Sequence, residues 1–316
     1  METIHRIAVT LLLALATLSQ AQSQTRDCSL AIVTHSPATG QNVCDGKLVH
    51  ELAIQGHAYE QNQQGLASIL ALGPGYSEQE ALKWFRQSAQ RGYASAQVNL
   101  AVMFTNGWGT PVNYGEALHW LHAAADQGFS RAYYNLGILY LQGRGVHQDL
   151  AEAFRWFQKG ADANDSSSEV DLGYLYDQGL GRPRSPTTAA RWYRKAANSG
   201  NPLGENNLAD LYLRGEGLPQ SHAEAFRWFQ KAAAGGYTGA KIKLGYLYSA
   251  GLGTAKDPET AYAWIESAAL AGDNRGQYLI PSLQAQLSAA QLQNARTRAR
   301  QLSGPVQQLT AQAFTP

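Results

Sequence analysis

Tryptophan recurs every 36 residues along most of this chain. Alanine keeps the same step three residues before and five residues after each tryptophan, as Ala81 and Ala89 do around the first one. A fixed period of this length over several columns indicates a solenoid, in which each repeat buries its apolar face on its neighbours. We therefore expect the six tryptophans in register to be structural core residues: Trp84, Trp120, Trp156, Trp192, Trp228 and Trp264.

The apolar residues within each period follow the spacing of two helices. Ala153, Trp156 and Phe157 lie on one face of a first helix, and Leu172 and Tyr176 lie on one face of a second. A single glycine separates these two helices, and a Gly-x-Gly pair follows the second one. We interpret each unit as a tryptophan helix paired with the helix after it, with Gly-x-Gly as the connection to the next unit. The predicted fold is all-α, a right-handed α-solenoid of stacked antiparallel helix pairs.

Two stretches carry a resemblance to a known family. "AARWYRKAANSG" at 189–200 and "YNLGILYLQGRG" at 134–145 resemble the pattern of the Sel-one-like repeat family, which is related to the tetratricopeptide repeats. The similarity extends over roughly residues 77–276. It implies an α-solenoid of the tetratricopeptide type. It also implies a non-catalytic scaffold for protein–protein interactions, without a cofactor.

The flanks of the array differ from it in composition and lack its period. Pro281 interrupts the second helix of the last unit, and Ser288 with Gln291 forms a capping-box pattern for one more helix. Asn164 replaces the single glycine in one unit and is able to take the same left-handed conformation. We expect a signal peptide at 1–21, an N-terminal segment with a disulfide at 22–46, a degenerate repeat at 47–76, the repeat array at 77–281, a capping helix at 282–303 and a frayed tail at 304–316.

The N-terminus has the features of a secretory signal peptide. The apolar run Ile7–Leu18 follows two basic residues and ends near small residues that favour cleavage after Ala21. An uncleaved membrane anchor is the alternative, although a span needs roughly 20 apolar residues. Cleavage predicts a periplasmic or secreted protein without a membrane span. In an oxidising compartment Cys28 and Cys44 are expected to form a disulfide, with two free thiols as the alternative.

Charge and motif content exclude several function classes. The formal net charge of +1 lacks the basic excess of a nucleic-acid-binding protein. The chain has no His-Glu-x-x-His, Gly-x-Ser-x-Gly, Ser-x-x-Lys or Cys-x-x-Cys motif, so we predict no enzyme and no cofactor. His119 and His122 have a spacing that permits metal ligation, but no further ligand accompanies them. We expect no metal site.

A basic residue precedes most of the tryptophans in register. The residues in this column are Lys83, His119, Arg155, Arg191 and Arg227. A glutamate three residues earlier accompanies most of them, and such pairs on a helix favour local ion pairing over partner binding. In one unit Thr188 replaces the glutamate, so Arg191 is predicted to lack a local carboxylate. The basic residues around it form our candidate interaction site for an acidic protein partner: Arg182, Arg184, Arg191, Arg194 and Lys195.

Trp108 is the one tryptophan outside the register. It occupies the variable position of a Gly-x-Gly pair, where the later units carry Arg144, Leu180, Glu216 and Leu252. An exposed tryptophan there is a candidate contact for a partner or for peptidoglycan, and packing on its neighbours is the alternative. A cell-wall enzyme of the β-lactamase type remains a second alternative function, although no serine nucleophile with a neighbouring lysine is present.

Overall fold

A computed structural model of the protein describes part of the chain, namely residues 34–35, 42–43, 54, 56–70 and 77–303. The signal peptide, Cys28, Cys44 and the predicted frayed tail at 304–316 lie outside the described residues. Their structures, including the disulfide, stay predictions. The described helices fall into two compact units that divide between Ala163 and Asn164.

The first unit holds one short hairpin and six helices among its described residues. Strands β1 and β2 are antiparallel, with Thr34 opposite Val43. The elements are β1 (Thr34–His35), β2 (Asn42–Val43), α1 (Ala58–Leu70), α2 (Glu78–Gln90), α3 (Ala94–Asn106), α4 (Tyr114–Ala125), α5 (Ser130–Gln142) and α6 (Leu150–Asp162).

All regular secondary-structure elements in the described residues of the second unit are helices. Its elements are α7 (Ser166–Gln178), α8 (Pro186–Asn198), α9 (Pro202–Arg214), α10 (His222–Ala234), α11 (Thr238–Ala250), α12 (Pro258–Leu270), a 3-10 helix (Asn274–Leu279), α13 (Ile280–Gln284) and α14 (Ala289–Ser303). The helix that we predicted to be interrupted at Pro281 is replaced by the 3-10 helix and α13. The all-α solenoid class predicted from the repeat is confirmed.

Within the repeats, the helices that pack most extensively are those joined by a Gly-x-Gly loop. This holds for α5 with α6 and for α7 with α8. The main partner of each tryptophan helix, α6 or α8, is therefore the helix that precedes it in the chain. Our prediction of the hairpin was therefore wrong in phase: the tryptophan helix pairs with the helix before it. The cause is the residue after each tryptophan, which packs against a small residue on the preceding helix.

That contact leaves no space for a side chain on the small residue. A Cβ atom on Gly137 of α5 would lie 2.5 Å from Cε1 of Phe157 on α6. The same distance would separate a Cβ on Gly173 from the ring of Tyr193. The missing side chain lets the two helices approach until the ring lies against helix backbone, and the ring itself is fully buried.

The tryptophans lie at the margin of the core. Trp84 is buried, and the other five in register are half-buried. Trp120 and Trp156 still pack against the core of the first unit, as Trp228 and Trp264 do in the second. The innermost column is the next residue along the chain, which is 2% exposed or less in every repeat: Phe85, Leu121, Phe157, Tyr193, Phe229 and Ile265.

The residues that cap the helix ends recur at equivalent positions in the repeats. Each tryptophan helix begins after a side chain that accepts a hydrogen bond from the backbone N–H three residues later; these caps are Ser77, Asn113, Asp149, Ser185, Ser221 and Asp257. Asn164 has a φ of 60°, which confirms that it takes the left-handed conformation. The predicted capping box is confirmed too, because Ser288 and Gln291 exchange hydrogen bonds.

Replacing Gly137 with alanine tests the close approach of α5 and α6. Alanine has the higher helix propensity by about 1 kcal/mol, yet its Cβ would overlap the Phe157 ring. We expect Gly137→Ala to lower the free energy of unfolding by roughly 1–3 kcal/mol, the usual cost of overpacking. The measurement is urea denaturation followed by circular dichroism.

Gly115 supplies the matched control for that substitution. It lies on the exposed side of α4, and a Cβ there would meet only Asn113 Oδ1, at 3.4 Å. Gly115→Ala is expected to leave stability unchanged or to raise it by up to about 1 kcal/mol. If Gly137→Ala were as stable as the wild type, the ring would not require a bare position.

Candidate interaction surface

The column of basic residues before the tryptophans is largely paired within its own helices. Lys83 Nζ lies 3.8 Å from Glu80 Oε2, and Arg227 Nη1 lies 2.8 Å from Glu224 Oε1. Arg155 makes the equivalent pair with Glu152. The predicted local ion pairs are therefore confirmed in three repeats. These exposed pairs occupy the charges that would otherwise face a partner.

Arg191 is the one arginine of this column without such a pair among the described residues. Its side chain is exposed on α8, and no ion pair or hydrogen bond of that side chain is found among the described residues. Thr188, in the position of the missing glutamate, accepts a hydrogen bond from Ser185 Oγ at 2.8 Å. The threonine thus contributes to the N-terminal cap of α8 and provides no counter-charge for Arg191.

Two of the five predicted basic residues have structural partners instead. Lys195 Nζ lies 2.9 Å from Oε1 of Glu169, a fully buried carboxylate on α7. Arg184 lies between Asp177 and Glu216, and Arg214 contacts the same two carboxylates. These contacts hold α7 and α9 to the loops that follow them.

The remaining three residues form the outward basic surface, which we call the basic patch: Arg182, Arg191 and Arg194. All three are exposed. Arg194 Nη2 donates to the hydroxyl oxygen of Tyr212 at 2.7 Å, and its guanidinium lies over that ring at 6.0 Å from the ring centroid. The hydroxyl leaves the positive charge of Arg194 unneutralised, so Arg191 and Arg194 together present positive charge on α8.

Burial controls the protonation of the acids beneath the patch. Loss of solvent raises the pKa of the Glu169 carboxyl, and the Lys195 ammonium offsets part of that rise. Burial also raises the pKa of Asp171 to about 7, with a smaller contribution from the Asp165 carboxylate. The Lys195 ammonium therefore stabilises the ionised form of the buried Glu169 carboxyl.

Trp108 packs against the core of the first unit and is half-buried. The loop around it is held closely, since the backbone N–H of Gly109 donates to Oε2 of Glu78 at 2.9 Å. Of the two alternatives for this residue, the structure favours packing.

A cleft between α3 and α5 is the part of the surface that the sequence did not single out. It has a volume of about 280 Å³ and lies wholly in the first unit. Polar amides and one guanidinium line it together with apolar side chains; the lining residues are Val102, Thr105, Asn106, Leu121, Tyr134, Asn135, Ile138, Leu139, Gln142 and Arg144. Its only signal in the sequence was Arg144, at the variable position of Gly-x-Gly.

The described residues bring together no group of three or more His, Cys, Asp and Glu side chains able to hold a metal ion. His122 packs its ring edge-on against Trp156 with centroids 5.6 Å apart, and His119 lies beside Trp120. Within the same part of the chain, no helix is both long enough and apolar enough to cross a membrane.

The family model for the Sel1 repeat matches the chain six times. Each of the five complete matches begins with the helix before a Gly-x-Gly loop and ends after the tryptophan helix, which agrees with the pairing seen in the structure. The matched residues are 65–93, 94–129, 130–165, 166–201, 202–237 and 239–273. The chain belongs to the Sel1 repeat family. Sel1 repeat proteins generally mediate protein–protein interactions.

Solved structures of other Sel1 repeat proteins resemble this one. A Sel1 repeat protein from Oxalobacter formigenes is 27% identical with a TM-score of 0.65, and the match covers 72% of this chain and all of that one. A protective antigen with an SLR fold from uropathogenic Escherichia coli is 26% identical with a TM-score of 0.48, over 87% of this chain and 66% of that one. None of the curated proteins compared with the chain matches it.

Replacing Lys195 with alanine should destabilise this Sel1 repeat protein, because Glu169 would lose its counter-charge. We expect a loss of about 1–2 kcal/mol, less than for a fully buried pair because the Lys195 side chain is 42% exposed and screened by solvent. Since burial raises the pKa of Glu169, lowering the pH protonates this carboxyl and should reduce the loss. Denaturant unfolding of wild type and variant at several pH values measures both effects.

Arg191→Ala is the control in the same helix, and it should change stability by less than about 0.5 kcal/mol. A second control is Lys195→Ala combined with Glu169→Gln, which should recover stability because no buried charge remains. Equal stability of the two single variants would show that the Glu169–Lys195 pair has no structural role.

Proposed function

We propose that this protein is an exported, non-catalytic scaffold of the bacterial cell envelope that binds an acidic surface of a partner protein through its basic patch. The family supplies the general expectation of protein–protein interaction. The predicted signal peptide at 1–21 supports export to the periplasm or beyond, and cleavage near Ala21 would release the mature chain.

The observation that supports this site is the exposed, unpaired Arg191. Arg155 and Arg227 are also exposed and lie at the equivalent helix position, but each is paired with a glutamate three residues earlier. The repeat thus contains its own comparison between a neutralised position and a charged one. Guanidinium groups pair with carboxylates in a fixed bidentate geometry, so an acidic partner is the chemistry that fits.

Partner capture tests this function. The mature chain is immobilised, incubated with an envelope extract at low and at high salt, and the retained proteins are identified by mass spectrometry. We expect Arg191→Ala with Arg194→Ala to reduce retention of the principal partner at least about tenfold, a loss of 1.4 kcal/mol or more. Retention should also fall with salt, because the interaction is between exposed charges.

The matched control removes the two paired arginines, Arg155 and Arg227. This variant loses the same formal charge from equivalent surface positions, and it should retain the partner at the level of the wild type. The proposal fails if both double variants lose the partner equally, since general charge would then explain binding. It fails as well if neither variant loses it.

A further inference from the structure

We propose that the cleft between α3 and α5 binds an extended, acidic segment of a partner protein, with Arg144 paired to a carboxylate of that segment. This inference rests on the proposed protein-binding function and assigns a second site, in a different unit of the protein from the basic patch.

Arg144 is the one charged residue that lines the cleft. It lies at the variable position of a Gly-x-Gly loop, where Trp108 packs on the core and Glu216 contacts Arg184 and Arg214. Among the described residues, the Arg144 side chain has neither an ion pair nor a hydrogen bond. No carboxylate lines the cleft with it. A half-buried guanidinium in a concave site without a counter-ion calls for an anionic ligand group.

The amide side chains of the cleft are fixed in position by the helices that carry them. Asn106 Nδ2 donates to the carbonyl oxygen of Val102, and Asn135 Nδ2 donates to that of Arg131, each at 2.8 Å. Each bond uses one amide hydrogen and leaves Oδ1 without a donor from the described residues. A carboxamide oxygen of this kind accepts from a peptide N–H, so the two asparagines suit the backbone of an extended chain.

The apolar side chains supply the third feature of the ligand. Four aliphatic residues line the cleft: Ile138 is half-buried, and Val102, Leu121 and Leu139 are buried. A branched aliphatic side chain placed there would be removed from water, which favours binding.

The length of the cleft favours a peptide over a small anion. Its lining residues on α5 extend from Tyr134 to Gln142, about two turns or roughly 11 Å along the helix. An extended chain advances about 6.6 Å between side chains on one side, so two such side chains fit within that length. The site therefore suits a segment in which an aliphatic and an acidic residue lie two positions apart, so that both side chains face the cleft.

Fluorescence anisotropy with a designed probe tests this site in the purified mature chain. The probe is fluorescein-labelled Ala-Leu-Ala-Asp-Ala with a C-terminal amide, which places the leucine and the aspartate on one side of an extended chain, and the matched peptide has asparagine in place of the aspartate. We expect the acidic peptide to bind at least about tenfold more tightly than its neutral counterpart. Arg144→Ala and the milder Arg144→Gln should each remove that difference, and competition with unlabelled peptide should displace the probe.

Arg155→Ala is the control, because it removes an exposed arginine of the same unit that is already paired with Glu152. It should leave binding of the acidic peptide unchanged. The proposal is overturned if neither peptide binds, if both bind equally, or if the Arg144 variants bind the acidic peptide as tightly as the wild type. Any of these results, with capture through the basic patch still intact, would reject the cleft and leave the proposed function standing.

Discussion

The contact between an apolar side chain and a small residue on the preceding helix controls the architecture of this protein. The side chain is the one after each tryptophan, and the position that faces it is glycine or alanine in every repeat, as Phe157 and Gly137 illustrate. Because a larger side chain would not fit at that position, the two helices have one register and one close approach. A change in loop length would move the ring off that position, which gives a physical reason for the constant period of 36 residues.

This constraint leaves few positions free for function. The core columns, the helix caps and the Gly-x-Gly turns are all committed to packing or backbone geometry in each repeat. Some surface charges are committed too, because they pair within a helix, as Arg227 does with Glu224, or with a neighbouring helix, as Lys195 does with Glu169. Arg191 and Arg144 differ from their equivalents in neighbouring repeats, and both carry a charge without a counter-ion in the described structure.

The sequence predicted the local features well because they depend on residues close along the chain. Helix spacing, the ion pairs three residues apart and the left-handed Asn164 are of this kind. The phase of the hairpin escaped prediction, since it depends on which neighbouring helix receives the buried ring, and both sides of the tryptophan helix are apolar. The structural role of Lys195 was missed for a similar reason: its partner Glu169 lies 26 residues earlier, on another helix. The cleft exists only once α3 and α5 lie side by side.

Hydrogen–deuterium exchange of the protein alone and with its captured partner would test most directly whether function lies where the repeat pattern is broken. We predict slower exchange on partner binding in two segments, 182–195 around the basic patch and 134–144 along the cleft. We expect no change at 152–159 and 224–231, where an identical octapeptide carries paired arginines. Equal protection of those two octapeptide segments and of the patch would contradict it, because the partner would then bind the conserved period of the repeat itself.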